Sequence, residues 1–114
     1  MKIFIIGAVR NADAKWKEKL ELYTKALEAN GHTVHLPHRD TNQNLSSIEI
    51  CTINKNAIIE SDEIHLFYIP ESQGTHFDMG MSFALNKKLR VISSPEINEG
   101  KSFNRLAHEW EEVY

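Results

Sequence analysis

Short apolar runs recur along this chain at intervals of about 30 residues, and this spacing limits the fold more than any other feature of the sequence. Lys2-Ile-Phe-Ile-Ile6 stops at Gly7, Thr33-Val-His-Leu36 stops at Pro37, Glu63 to Ile69 closes at Pro70, and Leu89 to Ile92 follows. Runs this short, rich in β-branched and aromatic residues and bounded by glycine or proline, read as strands. The first is apolar on both faces, which suits a central parallel strand. Between the runs the period changes. Trp16, Leu20, Tyr23 and Leu27 recur at spacings of four, three and four, which predicts a helix from about Asp13 to Ala29, ended by Asn30-Gly31. Ser46 or Ser47 caps a second helix reaching about Glu60, with Ile50, Ile53, Ala57 and Ile58 turned inward. A third helix is expected from Thr75 to Lys87 and a last one from Ser102 to about Glu112, with loops at His38–Leu45, Glu71–Gly74 and Ser93–Gly100.

Strands that alternate with helices pair in parallel through right-handed crossovers. The expected fold is therefore α/β: a doubly wound parallel sheet of at least four strands, with the first strand central and helices on both faces. The 114 residues suit a single domain, 1–114. Such folds bind ligands outside the carboxyl ends of their strands, at the switch point. Three segments converge there: Gly7 to Asn11, Pro37 to Gln43 and Glu71 to Asp78. A small ligand fits that location, and the fold alone does not choose its chemistry.

Composition removes several classes of function. A net charge of −3 argues against a nucleic-acid polymer as partner, because such a binder needs a basic stripe. A single cysteine, Cys51, forbids an intrachain disulfide. No segment approaches the roughly 20 apolar residues of a membrane span, and the run from Ile3 to Ala8 is too short for a signal h-region with its cleavage site. A cytoplasmic protein without membrane attachment is expected. His35 and His38 flank Pro37 with no cysteine or carboxylate pair nearby, so no metal site is expected. The dinucleotide fingerprint G-x-G-x-x-G is absent, and no cofactor is expected.

Four features carry candidate chemistry. Gly7-Ala8-Val9-Arg10-Asn11 follows the first strand and offers backbone amides with an arginine that can fork onto a phosphate; an ordinary turn with a solvated arginine is the other reading. Ser72-Gln-Gly74-Thr-His76-Phe-Asp78-Met-Gly80 leads into a helix N-terminus, where free N–H groups and the helix dipole favour an anion. Thr75-x-x-Asp78 there is also close to a capping box, which would place Asp78 in the first turn, whereas Gly80 suggests close approach by a ligand or a backbone. Asn54 falls on the buried face of its helix, either bonded to a neighbouring backbone group or aimed at the site. Among the histidines, His76 alone is kept as a candidate acid or base; His65 lies in a strand and reads as structural. Cys51 has no cationic neighbour and reads as inert.

From Lys2 to about Ile92 the sequence resembles the nucleoside 2-deoxyribosyltransferase family, and within it the 2′-deoxynucleoside 5′-monophosphate N-glycosidases. The main likeness runs from Ser72 to Ile92: a glycine, a spaced carboxylate-x-glycine, then a helix ending in a lysine before the last apolar strand. Asn54 to Asp62 and the opening strand with Gly7-Ala8-Val9-Arg10 add to it. The resemblance implies a flavodoxin-like three-layer α/β/α fold. It implies a carboxylate that attacks C1′ of the sugar, expels the base and forms a glycosyl-enzyme, which water or a second base then resolves. Asp78 is the matching nucleophile, Asn54 stands where the family has an aspartate that orients it, and His76 is a possible proton donor. Ser72 and Gly74, with Gly7, Val9, Arg10 and Asn11, match the substrate-binding loops, and Ser102 matches a serine lent by a neighbouring subunit. A homodimer or higher oligomer is implied, with the second and third helices as interface. The family nucleophile is normally glutamate, so Asp78 and Asn54 both depart from the pattern at the catalytic pair. Cleavage or transfer at an N-glycosidic bond is the first expectation. A non-catalytic nucleotide-binding or sensing protein that keeps the pocket is the second, and cleavage of a nicotinamide cofactor on a similar fold is the third.

Overall fold

The computed structural model describes residues 1–10, 12–97 and 100–113, and in it the four apolar runs form one parallel sheet. In chain order the elements are β1 (Lys2–Ile6), α1 (Ala14–Ala29), β2 (Thr33–His35), α2 (Pro37–Asp40), α3 (Ser47–Glu60), β3 (Glu63–Phe67), α4 (Gln73–Ala84), β4 (Lys88–Ser93) and α5 (Phe103–Val113). The strand order is β2-β1-β3-β4, so β1 is interior, with Ile3 opposite Val34 on one side and Glu63 on the other. The order reverses between β1 and β3, which creates the switch point above those two strands.

Alternate residues of each strand feed two cores. Phe4, Ile6, Ile64, Leu66 and Leu89 pack against Ile58 of α3, Met79 of α4, and Ala107 and Trp110 of α5. Ile3, Ile5, Val34 and Phe67 pack against Leu20, Trp16, Tyr23 and Leu27 of α1 on the opposite face. The four-residue period read from α1 is therefore the stripe that covers the sheet. The result is the expected three-layer α/β/α arrangement.

Local chemistry sets the element ends. Asp13 caps α1 by accepting from the Trp16 amide, and Gly31, at φ 91°, lets His32 N–H reach back to Leu27 O. Between the two candidate caps of α3 the structure selects Ser46, because Glu49 three residues on returns the hydrogen bond and completes a capping box. Two expectations are corrected. Residues 38–40, read as part of a loop, join Pro37 in the one-turn helix α2: Pro37 supplies the pre-set φ at its start and the Asp40 carboxylate accepts from Leu36 N–H. Helix α4 begins at Gln73 and ends at Ala84 rather than running from Thr75 to Lys87. Asn86 takes the left-handed conformation (φ 57°), and Lys87 N–H bonds Ser82 O while Asn86 N–H bonds Phe83 O, which closes the helix. Lys87 is then free to donate through Nζ to Ile59 O and Ser61 O at the carboxyl end of α3.

Candidate active site

Above the carboxyl ends of β1 and β3 lies a cleft of about 550 Å³. Its walls come from the three segments expected to converge there, joined by the first turns of α3. Gly7, Val9 and Arg10 form one side, Pro37 and Gln43 a second, and residues 71–75 with Phe77 and Asp78 a third. Ser47, Ile50, Cys51 and Asn54 recur at helical spacing and present one stripe of α3 to the cavity. Gly7 permits the tight passage from β1 into this wall: a Cβ there would sit 2.9 Å from a Leu20 methyl.

The N-cap of α4 is Ser72, not Thr75. Its Oγ accepts from the Thr75 amide at 3.2 Å and from the Thr75 hydroxyl at 2.9 Å, which leaves its own proton available to the cleft. This earlier start moves Asp78 out of the first turn and away from any capping role. Among the described residues no hydrogen bond reaches the Asp78 carboxyl, and burial pushes its pKa up to about 7. Gly80 is exposed, and no protein atom lies within 4 Å of where its Cβ would be, so the close approach of a backbone is absent among the described residues. The glycine faces open space beyond the cleft.

Asn54 is buried and lines the same cleft as Asp78. No hydrogen bond joins the two among the described residues; Asn54 Oδ1 instead accepts from the Thr41 hydroxyl at 2.8 Å. His76 does not line the cavity. Its Nδ1 donates to Ser72 O at 2.7 Å, so its Nε2 accepts from Tyr68 OH at 2.8 Å, and the ring packs edge-on against Phe103. With both nitrogens engaged it braces the start of α4. Ser102 accepts from Arg105 N–H at the start of α5 and also lies outside the cleft of its own chain. Asn11 lies outside the described residues. Cys51, read as inert because it has no cationic neighbour, is a wall residue. Thr41 was missed as well, because its contact to Asn54 spans 13 positions and leaves no periodic trace.

No family model matches this chain, and no curated protein does. Solved structures do. A CMP N-glycosidase from Clostridium botulinum superposes with a TM-score of 0.65 at 25% identity, over 96% of this chain and 81% of its own. A 2-deoxyribosyltransferase from Bacillus psychrosaccharolyticus gives 0.67 at 17% identity, over 94% and 90%. A 2-desoxiribosyltransferase from Leishmania mexicana gives 0.65 at 21% identity, over 82% of this chain and 65% of that one, a little under two thirds of its length. The last two likenesses are likenesses of fold. The first supports the resemblance to the nucleoside 2-deoxyribosyltransferase family, and all three share the flavodoxin-like α/β fold. Among the described residues, no helix is long and apolar enough to cross a membrane.

Proposed function

We propose that the chain cleaves or transfers the N-glycosidic bond of a nucleoside, a deoxynucleoside or a 5′-monophosphate of either. The observation that carries this reading is a half-buried carboxyl, Asp78, with no hydrogen-bond partner among the described residues, in a cleft at the switch point of a fold shared with an N-glycosidase. In the proposed reaction Asp78 attacks C1′, the bond to the base breaks, and the electron pair leaves with the base. A glycosyl-enzyme ester remains, and water or a second base releases the sugar. The free amides at the start of α4, the Ser72 hydroxyl and the loop carrying Gly7, Val9 and Arg10 suit a 5′-phosphate, because they present donors and one guanidinium to a common space. Gly74 belongs to the same proposed cradle. The Asn54 Nδ2, which makes no hydrogen bond among the described residues, suits an orienting role. His76, braced behind α4, is left out of the proton transfers.

A nucleophile must be ionised, so base release should rise with pH through about 7, following the Asp78 carboxyl. The test is incubation with nucleosides, 5′-monophosphates and NAD, with free base read by chromatography. The expected result is base from one class of substrate, lost in Asp78→Asn while ligand binding persists. Base release unaffected by Asp78→Asn would end the covalent mechanism.

The second reading, a nucleotide-binding protein without catalysis, is favoured by the two departures at the catalytic pair: an aspartate shorter than the family glutamate, and an amide that cannot exchange a proton. On that reading the wild type releases no base and the double change Asp78→Glu, Asn54→Asp restores some. Assembly into a homodimer or larger oligomer through α3 and α4 is part of the proposal, with Ser102 lent to a neighbouring cleft. The exposure of Ile48 on α3 and of Phe77 at the cleft supports it. Light scattering at micromolar concentration checks this, and a strict monomer contradicts it.

A further inference from the structure

Asn54 is nine-tenths buried, and only one end of its amide is satisfied. Residual exposure is 7%, and the side chain borders the cleft. Its Oδ1 accepts from Thr41 Oγ1 at 2.8 Å, while Nδ2 makes no hydrogen bond among the described residues. Thr41 is itself 3% exposed, so its hydroxyl has no ready access to water. A hydroxyl has a single proton to give. Since that proton goes to Asn54, the 2.8 Å contact between Thr41 Oγ1 and His35 Nε2 is one in which the ring N–H donates.

The relay is anchored at its far end. His35 stacks on Phe4 with ring centroids 5.3 Å apart and planes within 7°. Thr41 directly follows α2 and is its C-cap, its amide bonded to Pro37 O. Gln43 Nε2 donates to Thr41 O at 3.0 Å and fixes the backbone again. Neither relay residue can turn without breaking these contacts. The planar amide of Asn54 then has one orientation, with its carbonyl toward Thr41 and its NH₂ away from it.

We propose that His35 and Thr41 are positioning residues that hold Asn54 as a fixed hydrogen-bond donor to the cleft, so that the ligand must present an acceptor there. The proposal rests on the cleft being a nucleotide site for its ligand, but the relay itself exists in the free protein. A carboxylate at position 54 would accept where this amide donates. The relay thus matches the donor and acceptor pattern of the pocket to the asparagine that this chain carries.

The test uses the full chain with Thr41→Val, which removes the hydroxyl, and Thr41→Ser, which keeps it; CMP is the probe. In the free protein, NMR of the Asn54 side chain should show its carbonyl carbon shifted in Thr41→Val and unchanged in Thr41→Ser. CMP should perturb the Asn54 NH₂ signals in wild type. Its affinity should fall at least about tenfold in Thr41→Val, the loss expected for one misplaced hydrogen bond, and stay near wild type in Thr41→Ser. An unchanged carbonyl carbon in Thr41→Val overturns the proposal. So does a shift confined to the NH₂ group, which would mean that the relay runs the other way. Equal CMP affinity in all three proteins overturns it as well. If wild type binds no CMP, the nucleotide reading fails for that ligand while the free-protein spectra still decide the relay. If Thr41→Val does not fold, His35→Gln, which keeps a donor, and His35→Phe, which does not, serve for the same spectra.

Discussion

Two acids withdrawn from water, one at each end of the same sheet, Glu63 buried and Asp78 half-buried, meet the cost of desolvation in opposite ways. Glu63 opens β3 and is almost wholly buried. Burial pushes its pKa up, but hydrogen bonds from His65 Nε2 at 2.9 Å and Arg90 Nε at 3.0 Å outweigh that and hold it below the usual carboxylate range. Tyr23 OH completes the cluster on His65 Nδ1 at 2.6 Å. Asp78, above the carboxyl ends of the strands, has no such partners among the described residues, and its pKa rises to about 7. The first arrangement keeps a charge and uses it to tie α1, β3 and β4 together. The second leaves a carboxyl near neutrality, ready to gain or lose a proton, at a stability cost the rest of the fold must cover. Pairing holds the charge at one end of the sheet, and its absence among the described residues leaves the acid at the other end free to titrate.

The largest expected effect breaks the paired end. Glu63→Ala removes the acceptor shared by His65 and Arg90 and should cost about 3 kcal/mol in urea denaturation. A loss under about 1 kcal/mol would mean that the cluster is solvated and the contrast with Asp78 is false. Because the folded pKa of Glu63 is lowered, its stabilisation is present above the ordinary carboxyl value of 4.5 and is lost as pH falls.

Asp78 should behave with the opposite sign. Its folded pKa of about 7 exceeds its ordinary 3.8, so between those values the folded state holds a proton that the unfolded chain releases. Stability therefore declines as pH rises across that window. Asp78→Asn removes the penalty and, discounted for the partial exposure of the group, should stabilise the protein by about 2 kcal/mol at pH 8, with little gain at pH 3. Thermal melts at both pH values check this; a variant less stable than wild type at pH 8 would show that the carboxyl has partners in solution.

The smallest effect concerns Gly80, exposed on α4 with open space around its Cβ position. Gly80→Ala should stabilise by about 0.5 to 1 kcal/mol through helix propensity alone and leave ligand affinity unchanged. A loss of affinity would restore the close approach that the sequence suggested and extend the chemical end of the sheet beyond Asp78.

Much of this architecture is written locally. The strands are short apolar runs, α1 is a stripe of Trp16, Leu20, Tyr23 and Leu27, and Ser46 with Glu49 announces the start of α3. Signals of this kind depend on neighbours within a few positions, so they survive reading in one dimension. Parallel alternation then placed β1 inside the sheet and brought three loops to one cleft. Where local signals competed, the sequence alone did not choose. Thr75-x-x-Asp78 resembled a cap, yet Ser72 starts α4 because its hydroxyl reaches the Thr75 amide. The result changes Asp78 from a possible cap into an unpaired acid.

The tertiary structure alone decided which polar groups are satisfied. His76 stands two positions before Asp78, but helical geometry sends it to Tyr68 and Phe103 while Asp78 enters the cleft. Asn54 received its partner from Thr41, and Glu63 from Arg90 across 27 positions. The sequence by itself determined the layers, the interior strand and the end of the sheet where a ligand fits, because those follow from periodicity and chain connectivity. The proton affinity of Asp78 and the orientation of Asn54 depend on burial and on hydrogen bonds between distant segments, and those exist only once the sheet has closed.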